Sequence, residues 1–493
     1  MPFAPSWEEV RRLAPGYRRV PVALTLPAGD LTPADAFLRL KRLSRQCFIL
    51  ESRESEADAG RHTFLGFDPQ LSVTVRDGRL RVTSGATFEQ PTSDPGAVLR
   101  QILADNRSPR LDGLPPFTGG LVGYFSYDYI RYAEPTIDLS GGRAAADADD
   151  EGFFDADLML FDQVVAFDRL QGTVQLIANV KTDQLEENYA RAKVELEQLA
   201  ALITTGPLAT PPPLQLTSPW RALFSPEAYA DVVRRAQRHI GEGDIFQVVL
   251  SNRLDCDASG SLFEAYQLMS RDNPSPYMFY FSSDDIELAG AAPETLVRLR
   301  GTTLETYPLA GSRGRGATPV EDQALEQELL ADPKELAEHN MLVDLGRNDI
   351  GKIARFGSVR VVDYQSVVRF SHIMHISSTV CGTIRADRDA VDAVTALLPA
   401  GTLSGAPKVR ACQIIAELEG ARRGIYGGAI GYLGFTGDLD TCIAIRLAFA
   451  KNGRVFVRSG AGIVADSVPA SEHAECGRKM AAVVKALEEA SRR

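Results

Sequence analysis

The chain predicts an α+β protein built on largely antiparallel sheets. Strand-like runs come in groups and helical stretches in blocks, without the strict alternation that a parallel doubly wound sheet requires. At 493 residues it exceeds one ordinary domain and suffices for two, each with a sizeable core. A composition break at residues 204–220, TTGPLATPPPLQLTSPW, sets five prolines among small polar residues. Two domains are therefore expected at 1–205 and 221–493, joined by a Pro-rich linker at 206–220.

The elements follow in order. Residues 32–47 and 183–203 carry helical periodicity, and 48–50, 80–83 and 164–167 read as short strands. Residues 138–151 form an acidic, Ala-rich loop. Beyond the linker, 226–240 has a helical period, and β-rich runs follow at 246–254, 277–281 and 296–299. A helical block at 320–345 precedes strands at 358–364 and 372–380. A helix near 407–418, strands at 429–435, 441–449 and 454–458, and a last helix at 469–490 complete the chain.

Apolar residues make up 44% and charged ones 24%, as in folded soluble chains, and no apolar run approaches the roughly 18 residues of a membrane helix. The N-terminus, MPFAPSWEEVRRLAPGYRR, has charge and proline where a secretory signal would be apolar, so a cytoplasmic location is expected. The six cysteines form no CxxC and predict buried free thiols; the six histidines form no HExxH, which gives zinc little support. A net charge of −12 argues against nucleic acid or an anionic membrane as partner. A site for an anionic substrate must then concentrate its own cations.

Two glutamate pairs share one spacing: Glu335 and Glu338, with His339 on the same stripe, and Glu472 and Glu475, followed by Lys479. They fit either solvated helix surface or the ligands of a hard divalent cation beside an anion. Gly460-Ala461-Gly462 follows a strand-like run and reads as a tight turn whose amides approach a carboxylate. GTLSGAPK (401–408) is not a Walker sequence; Pro407 suits a first helical turn, leaving Thr402 and Ser404 facing outward. Arg313 and Arg315 in AGSRGRG fit a carboxylate clamp and a solvated turn equally. Arg446, inside the apolar run CIAIRLAFA, must meet an anion. His372 and His375 alternate faces if they lie on a strand, so one site cannot use both. Lysines number nine against 44 arginines, so Lys334, Lys408 and Lys479 stand out.

Several phrases together resemble the large, synthase component of anthranilate synthase, within the chorismate-utilising enzymes. They are GDIFQVVLSNR (243–253), NPSPYMFY (273–280), PLAGSRGRG (308–316), KELAEHNMLVDLGRNDIGK (334–352), GTLSGAPKVRA (401–411), RGIYGGAIGY (423–432), GDLDTCIAIR (437–446) and SGAGIVADSVPASEHAECGRK (459–479). FILESRE (48–54) and PPFTGGLVGYFSYD (115–128) extend the likeness to the N-terminal part. The resemblance implies a two-domain sandwich with helices outside. It implies magnesium held by Glu338 and Glu475 against chorismate's ring carboxylate, with Glu335 as general acid toward the C4 hydroxyl and Glu472 and Lys479 shaping the metal and anion site. Tyr426, Arg446 and the Gly460, Ala461 and Gly462 amides would bind the enolpyruvyl carboxylate, Thr402 and His375 would flank the ring, and Gly311 and Ser312 would line the substrate loop.

Gln247 stands where the water-adding relatives have a lysine base, and Ala310 where aminodeoxychorismate synthases have theirs, so ammonia attack at C2 and anthranilate are implied. Ser312, Ala292 and Cys476 depart from the commoner Thr, Ser and Thr. No Cys-nucleophile glutaminase is recognisable, so a separate glutamine amidotransferase subunit is implied, in a heterotetramer of two large and two small subunits. Glu51, Ser52, Pro276, Tyr277 and Met278 resemble the family's tryptophan feedback site. The alternatives are a 2-amino-2-deoxyisochorismate synthase and a catalytically inactive, tryptophan-sensing regulatory subunit.

Overall fold

The structure, a computed structural model, describes residues 3–52, 60–139, 151–370 and 373–493. The acidic stretch 140–150 and His372 lie outside the described residues. Among those described, two large antiparallel sheets, of 14 and 12 strands, face each other. Aromatic and aliphatic side chains from both sheets, including Phe48, Phe161, Phe279, Tyr432 and Phe449, fill the layer between them.

Each outer face is covered by helices. On the first sheet, Pro33–Leu40, Leu185–Thr205, Phe263–Asp272 and Pro469–Arg492 bury Phe37, Leu196, Phe263 and Leu487. On the second, Pro95–Asp105, Pro333–Gly351 and Ala390–Leu397 bury Leu99, Val343, Ile350 and Val394.

Both sheets run through both halves of the chain. Cys47–Glu51 pairs with Tyr277–Ser282, setting Glu51 opposite Met278, and Gly120–Phe125 pairs with Ala429–Gly434. Residues before and after the Pro-rich stretch therefore share their cores. That stretch is irregular after the helix ends at Thr205, apart from a two-residue strand, Gln215–Leu216.

The helix expected at 32–47 ends at Leu40, and Cys47 opens a strand; three further differences bear on the site. The helical block is two helices, Pro319–Ala331 and Pro333–Gly351, because Asp332 stops the first and caps the second through the Lys334 and Glu335 amides. The run at 441–449 is two strands, Leu439–Ile443 and Leu447–Lys451, which belong to different sheets. The chain crosses between them at Arg446, whose φ is +53°. The Gly460-Ala461-Gly462 segment is not a turn but lies inside the strand Arg454–Ile463.

Candidate active site

The site gathers around the end of that strand. It pairs with Leu447–Lys451 only through Arg454–Val457, so beyond Val457 no described strand covers this edge. On its other edge Ser251, Leu250 and Val249 stand opposite Gly460, Ala461 and Gly462. The Ser251 amide donates instead to Glu419 at 2.7 Å, and the Val249 amide to the Ser404 carbonyl at 2.9 Å. Antiparallel ladders alternate, so Ala461 takes the ladder bonds, and the Gly460 and Gly462 amides face the bare edge. Ala461's amide is thereby turned away from that edge, contrary to expectation.

Both glycines are required by their neighbours. A Cβ on Gly460 would lie 2.9 Å from the Tyr426 hydroxyl, and one on Gly462 2.5 Å from Gln247 Nε2. Tyr426 and Gln247 therefore lean directly over the strand.

Arg446 sits just before the strand that covers the neighbouring edge. Its side chain keeps accessible surface and makes no ion pair with a described residue, while burial of its surroundings lowers its pKa. The expected protein carboxylate is not there, and the exposed guanidinium stands open to an anion from solution. Lys479 donates to the Gly460 carbonyl at 3.0 Å and pairs with Glu475 at 2.7 Å.

His375 faces the same recess. Gly311, with φ +63° at a bulge, aims its carbonyl at His375 Nδ1, 2.8 Å away, and Ser312 Oγ lies 3.1 Å from the same nitrogen. A carbonyl only accepts, so Nδ1 carries the proton and Nε2 is left as an acceptor. Burial, with Arg446 and Lys479 nearby, lowers the His375 pKa and keeps the ring neutral.

The glutamate pairs converge from two helices. Burial and the charges of Glu335 and Glu475 raise the Glu338 pKa; burial and Glu475 raise that of Glu472. Glu335 lies 3.6 Å from an Arg313 guanidinium nitrogen. His339 does not join the stripe: it is fully buried, with Nε2 2.7 Å from Ser378 Oγ.

The arginines of AGSRGRG serve protein carboxylates, Arg313 with Glu328 and Asp332 and Arg315 with Asp322. Ser404 is buried rather than outward, bonded to the Ala400 carbonyl. Pro407 caps the Lys408–Glu419 helix instead of opening its first turn.

Two features escape a reading of the sequence. Glu294 sits in the recess, where burial raises its pKa to about 8 against the Thr402 hydroxyl, 3.1 Å away, and the charge of Lys479. Its signal was the one used for Arg446, a charged residue inside a small, apolar run, AGAAPETLV. The second is buried scaffolding. Glu419 accepts from Arg423, Arg458 and Ser251, and Arg423 reaches the Leu403 and Val249 carbonyls. It locks the strands and the 401–403 turn that carry the site.

Away from this recess, a cavity of about 850 Å³ opens between the sheets. Glu51, Ser52, Pro276, Tyr277 and Met278 all line it, as do Arg298 and Asp440. Tyr277 Oη sits 2.8 Å from Thr295 Oγ1 and Asp440 Oδ1 and accepts from Arg298 at 3.2 Å. Its size lies within the roughly 300–1,000 Å³ of small-molecule sites. No described helix is long and apolar enough to cross a membrane, and all six cysteines are buried and free.

A recess combining the unpaired Arg446, clustered carboxylates and a buried acid of raised pKa, beside a second cavity, defines an enzyme for a small anionic substrate with a separate ligand site. The chain belongs to the chorismate binding enzyme family, whose profile matches residues 26–485, and groups there with the anthranilate synthase components 1. It is 41% identical over 498 residues to that of Acetivibrio thermocellus, covering 99% of each chain. It is 40% identical to that of Pseudomonas aeruginosa, covering 97% of this chain and 98% of the relative. The crystal structure of anthranilate synthase component I from Streptococcus pneumoniae TIGR4 superposes with a TM-score of 0.74 at 33% identity, covering 93% of this chain and 98% of that one. Escherichia coli MenF, a menaquinone-specific isochorismate synthase, shares the fold with a TM-score of 0.68 at 22% identity, covering 97% and 98%.

Proposed function

We propose that this chain converts chorismate and ammonia to anthranilate and pyruvate in the cytoplasm, drawing its ammonia from a glutamine amidotransferase subunit in a two-plus-two heterotetramer. The observation that carries the reading is the juxtaposition of unpaired Arg446 with protonated Glu294 in one recess. Arg446, Tyr426 and the Gly460 and Gly462 amides take the enolpyruvyl carboxylate, and Lys479 adds a second positive charge. This resolves how a chain of net charge −12 accepts a dianion. Glu338 and Glu475 fit a magnesium ion, because burial and the charges of Glu335 and Glu475 raise the Glu338 pKa and so favour a cation beside it; the ion would supply positive charge against the ring carboxylate. Glu472 and Lys479 flank that set.

Glu294 gives its proton to the departing C4 hydroxyl. The role goes to Glu294 rather than Glu335 on geometry: Glu335 lies 3.6 Å from an Arg313 guanidinium nitrogen, whereas Glu294 stands in the recess against Thr402. Neutral His375, its tautomer fixed by Gly311 and Ser312, accepts a hydrogen bond through Nε2, and Thr402 holds Glu294. Gln247 over Gly462 cannot take a proton from water, which leaves ammonia as nucleophile.

The test is anthranilate fluorescence from chorismate, magnesium and ammonium. Turnover with ammonium but not with glutamine, in protein free of other subunits, is expected; no anthranilate with ammonium would overturn the reading. The cavity between the sheets suits tryptophan as feedback inhibitor, since it joins the two sequence segments that the resemblance assigned to that ligand.

A further inference from the structure

Behind Glu294 runs a narrow cavity of about 40 Å³, beside the Pro333–Gly351 helix. Its wall includes Glu294, Thr402 and Asp349, with apolar Leu342, Leu397 and Ile443 among the rest. At roughly 10–15 Å³ of such volume per water, it has room for about three waters. Asp349 is only 4% exposed; Lys408 donates to it at 2.7 Å and Lys352 at 3.1 Å, and the Lys352 side chain is 42% exposed. Polar groups thus lead from solvent at Lys352, through Asp349 and the cavity, to Glu294.

The chemistry creates a need for such a path. When the Glu294 O–H bond breaks, its proton joins the C4 oxygen, the C4–O bond breaks and water is released, while ammonia forms the C2–N bond. The resulting C2 ammonium later sheds one proton to solvent, which balances the one Glu294 gave. Each turnover therefore leaves an ionised Glu294 beside a newly formed water, beneath a substrate that fills the front of the recess. A proton must return, and the water must leave.

We propose that the cavity behind Glu294 is the conduit for this water and proton, with Asp349 at its inner end and Lys408 as the residue that positions Asp349. The inference rests on the reading of Glu294 as proton donor. Charged groups face the path from three helices: Lys479 from Pro469–Arg492 toward Glu294, Asp349 from Pro333–Gly351, followed directly by Lys352, and Lys408 from Lys408–Glu419.

Two variants of the full chain test it with chorismate, magnesium and ammonium. Ala400→Val narrows the cavity, whose wall includes Ala400. Asp349→Asn with Lys408→Met removes the ion pair while leaving no buried charge alone. The measurements are kcat, KM for chorismate, the solvent deuterium isotope effect on kcat, and the unfolding temperature. Both variants are expected to lose roughly tenfold in kcat, a fraction of the about 10²–10⁴ that a general acid supplies, with KM little changed and a larger isotope effect. Wild-type kcat and isotope effect in either folded variant would overturn the conduit. So would losses that follow the unfolding temperature while the isotope effect stays constant, because that is the signature of a structural staple. Glu294→Gln, measured alongside, separates the two readings: if it stays active, the donor role fails and the conduit with it; if it is inactive while the cavity variants are normal, the conduit alone fails.

Discussion

Glu294→Gln keeps the shape and the Thr402 contact but removes the transferable proton. In the native protein that carboxyl has its pKa raised to about 8, first by burial, so it is protonated at neutral pH. A positioned general acid supplies about 10²–10⁴ in rate, or roughly 3–5 kcal/mol at 1.36 kcal/mol per tenfold. The sign of the pH dependence follows directly: a donor works only while protonated, so kcat is full below its pKa and falls as pH rises through about 8. The assay is anthranilate fluorescence at saturating chorismate and magnesium, with free ammonia held constant across the pH range. The Gln variant should lose at least 100-fold, an estimate at the low end of general-acid effects, and should lack that limb. Thr402→Val supplies a control. The Thr402 hydroxyl, 3.1 Å from Glu294, stabilises its ionised form, so losing it should move the limb upward. Hydrogen bonds to charged groups are worth about 1.5–3 kcal/mol, which corresponds to roughly one to two pH units before solvent in the recess reduces it. A Gln variant within tenfold of wild type, a limb that persists in it, or a downward shift in the Val variant would refute the assignment.

Glu338→Gln and Glu475→Gln should each cost on the order of 100-fold in magnesium-dependent turnover, with an unchanged circular dichroism spectrum, because each removes an anionic ligand at constant size. Arg446→Lys should raise KM for chorismate despite keeping its charge, since a planar two-pronged carboxylate contact is lost; steady-state kinetics reads this. Ser52→Phe should fill part of the cavity between the sheets and abolish tryptophan inhibition in a titration at fixed chorismate, leaving uninhibited turnover near wild type. Glu419→Ala strands Arg423 and Arg458, 3% and 2% exposed, without their shared carboxylate. Breaking a buried pair costs about 3–5 kcal/mol, which a denaturant midpoint would report.

Much of this was legible before the structure. The helices at Pro226–Gly241 and Pro469–Arg492 show a regular apolar period and have Pro at their first positions, so their signals are local. The run CIAIRLAFA was not divisible by pattern, because the strands on either side of Arg446 are both buried, and a doubly buried strand carries no alternation to mark where it ends. What divides it is one residue at positive φ, which only the meeting of two sheets requires. The break at Asp332 is written in the sequence as Asp-Pro, an ordinary cap, but apolar residues continue on both sides and mask it. The Glu51–Met278 register joins distant segments, and no local pattern carries it; only the family resemblance placed the two together.

The recess is also explained by what each half lacks. Along the bare strand edge, exposed Arg446 holds a positive charge that no described carboxylate answers, and the packed surroundings lower its pKa. Across the recess, Glu338 and Glu472 hold carboxyls that their acidic neighbours make harder to ionise. Lys479 touches both halves, through the Gly460 carbonyl and Glu475, but a single ammonium cannot neutralise the acids and leaves Arg446 unanswered. A fold selected for stability alone would pair these groups with one another, as it does for Glu419 with Arg423 and Arg458 a short distance along the same strands. That both arrangements occur in one core is the physical argument for a site: the scaffold satisfies its charges internally where nothing binds, and withholds partners where a dianion and a divalent cation together would complete both halves.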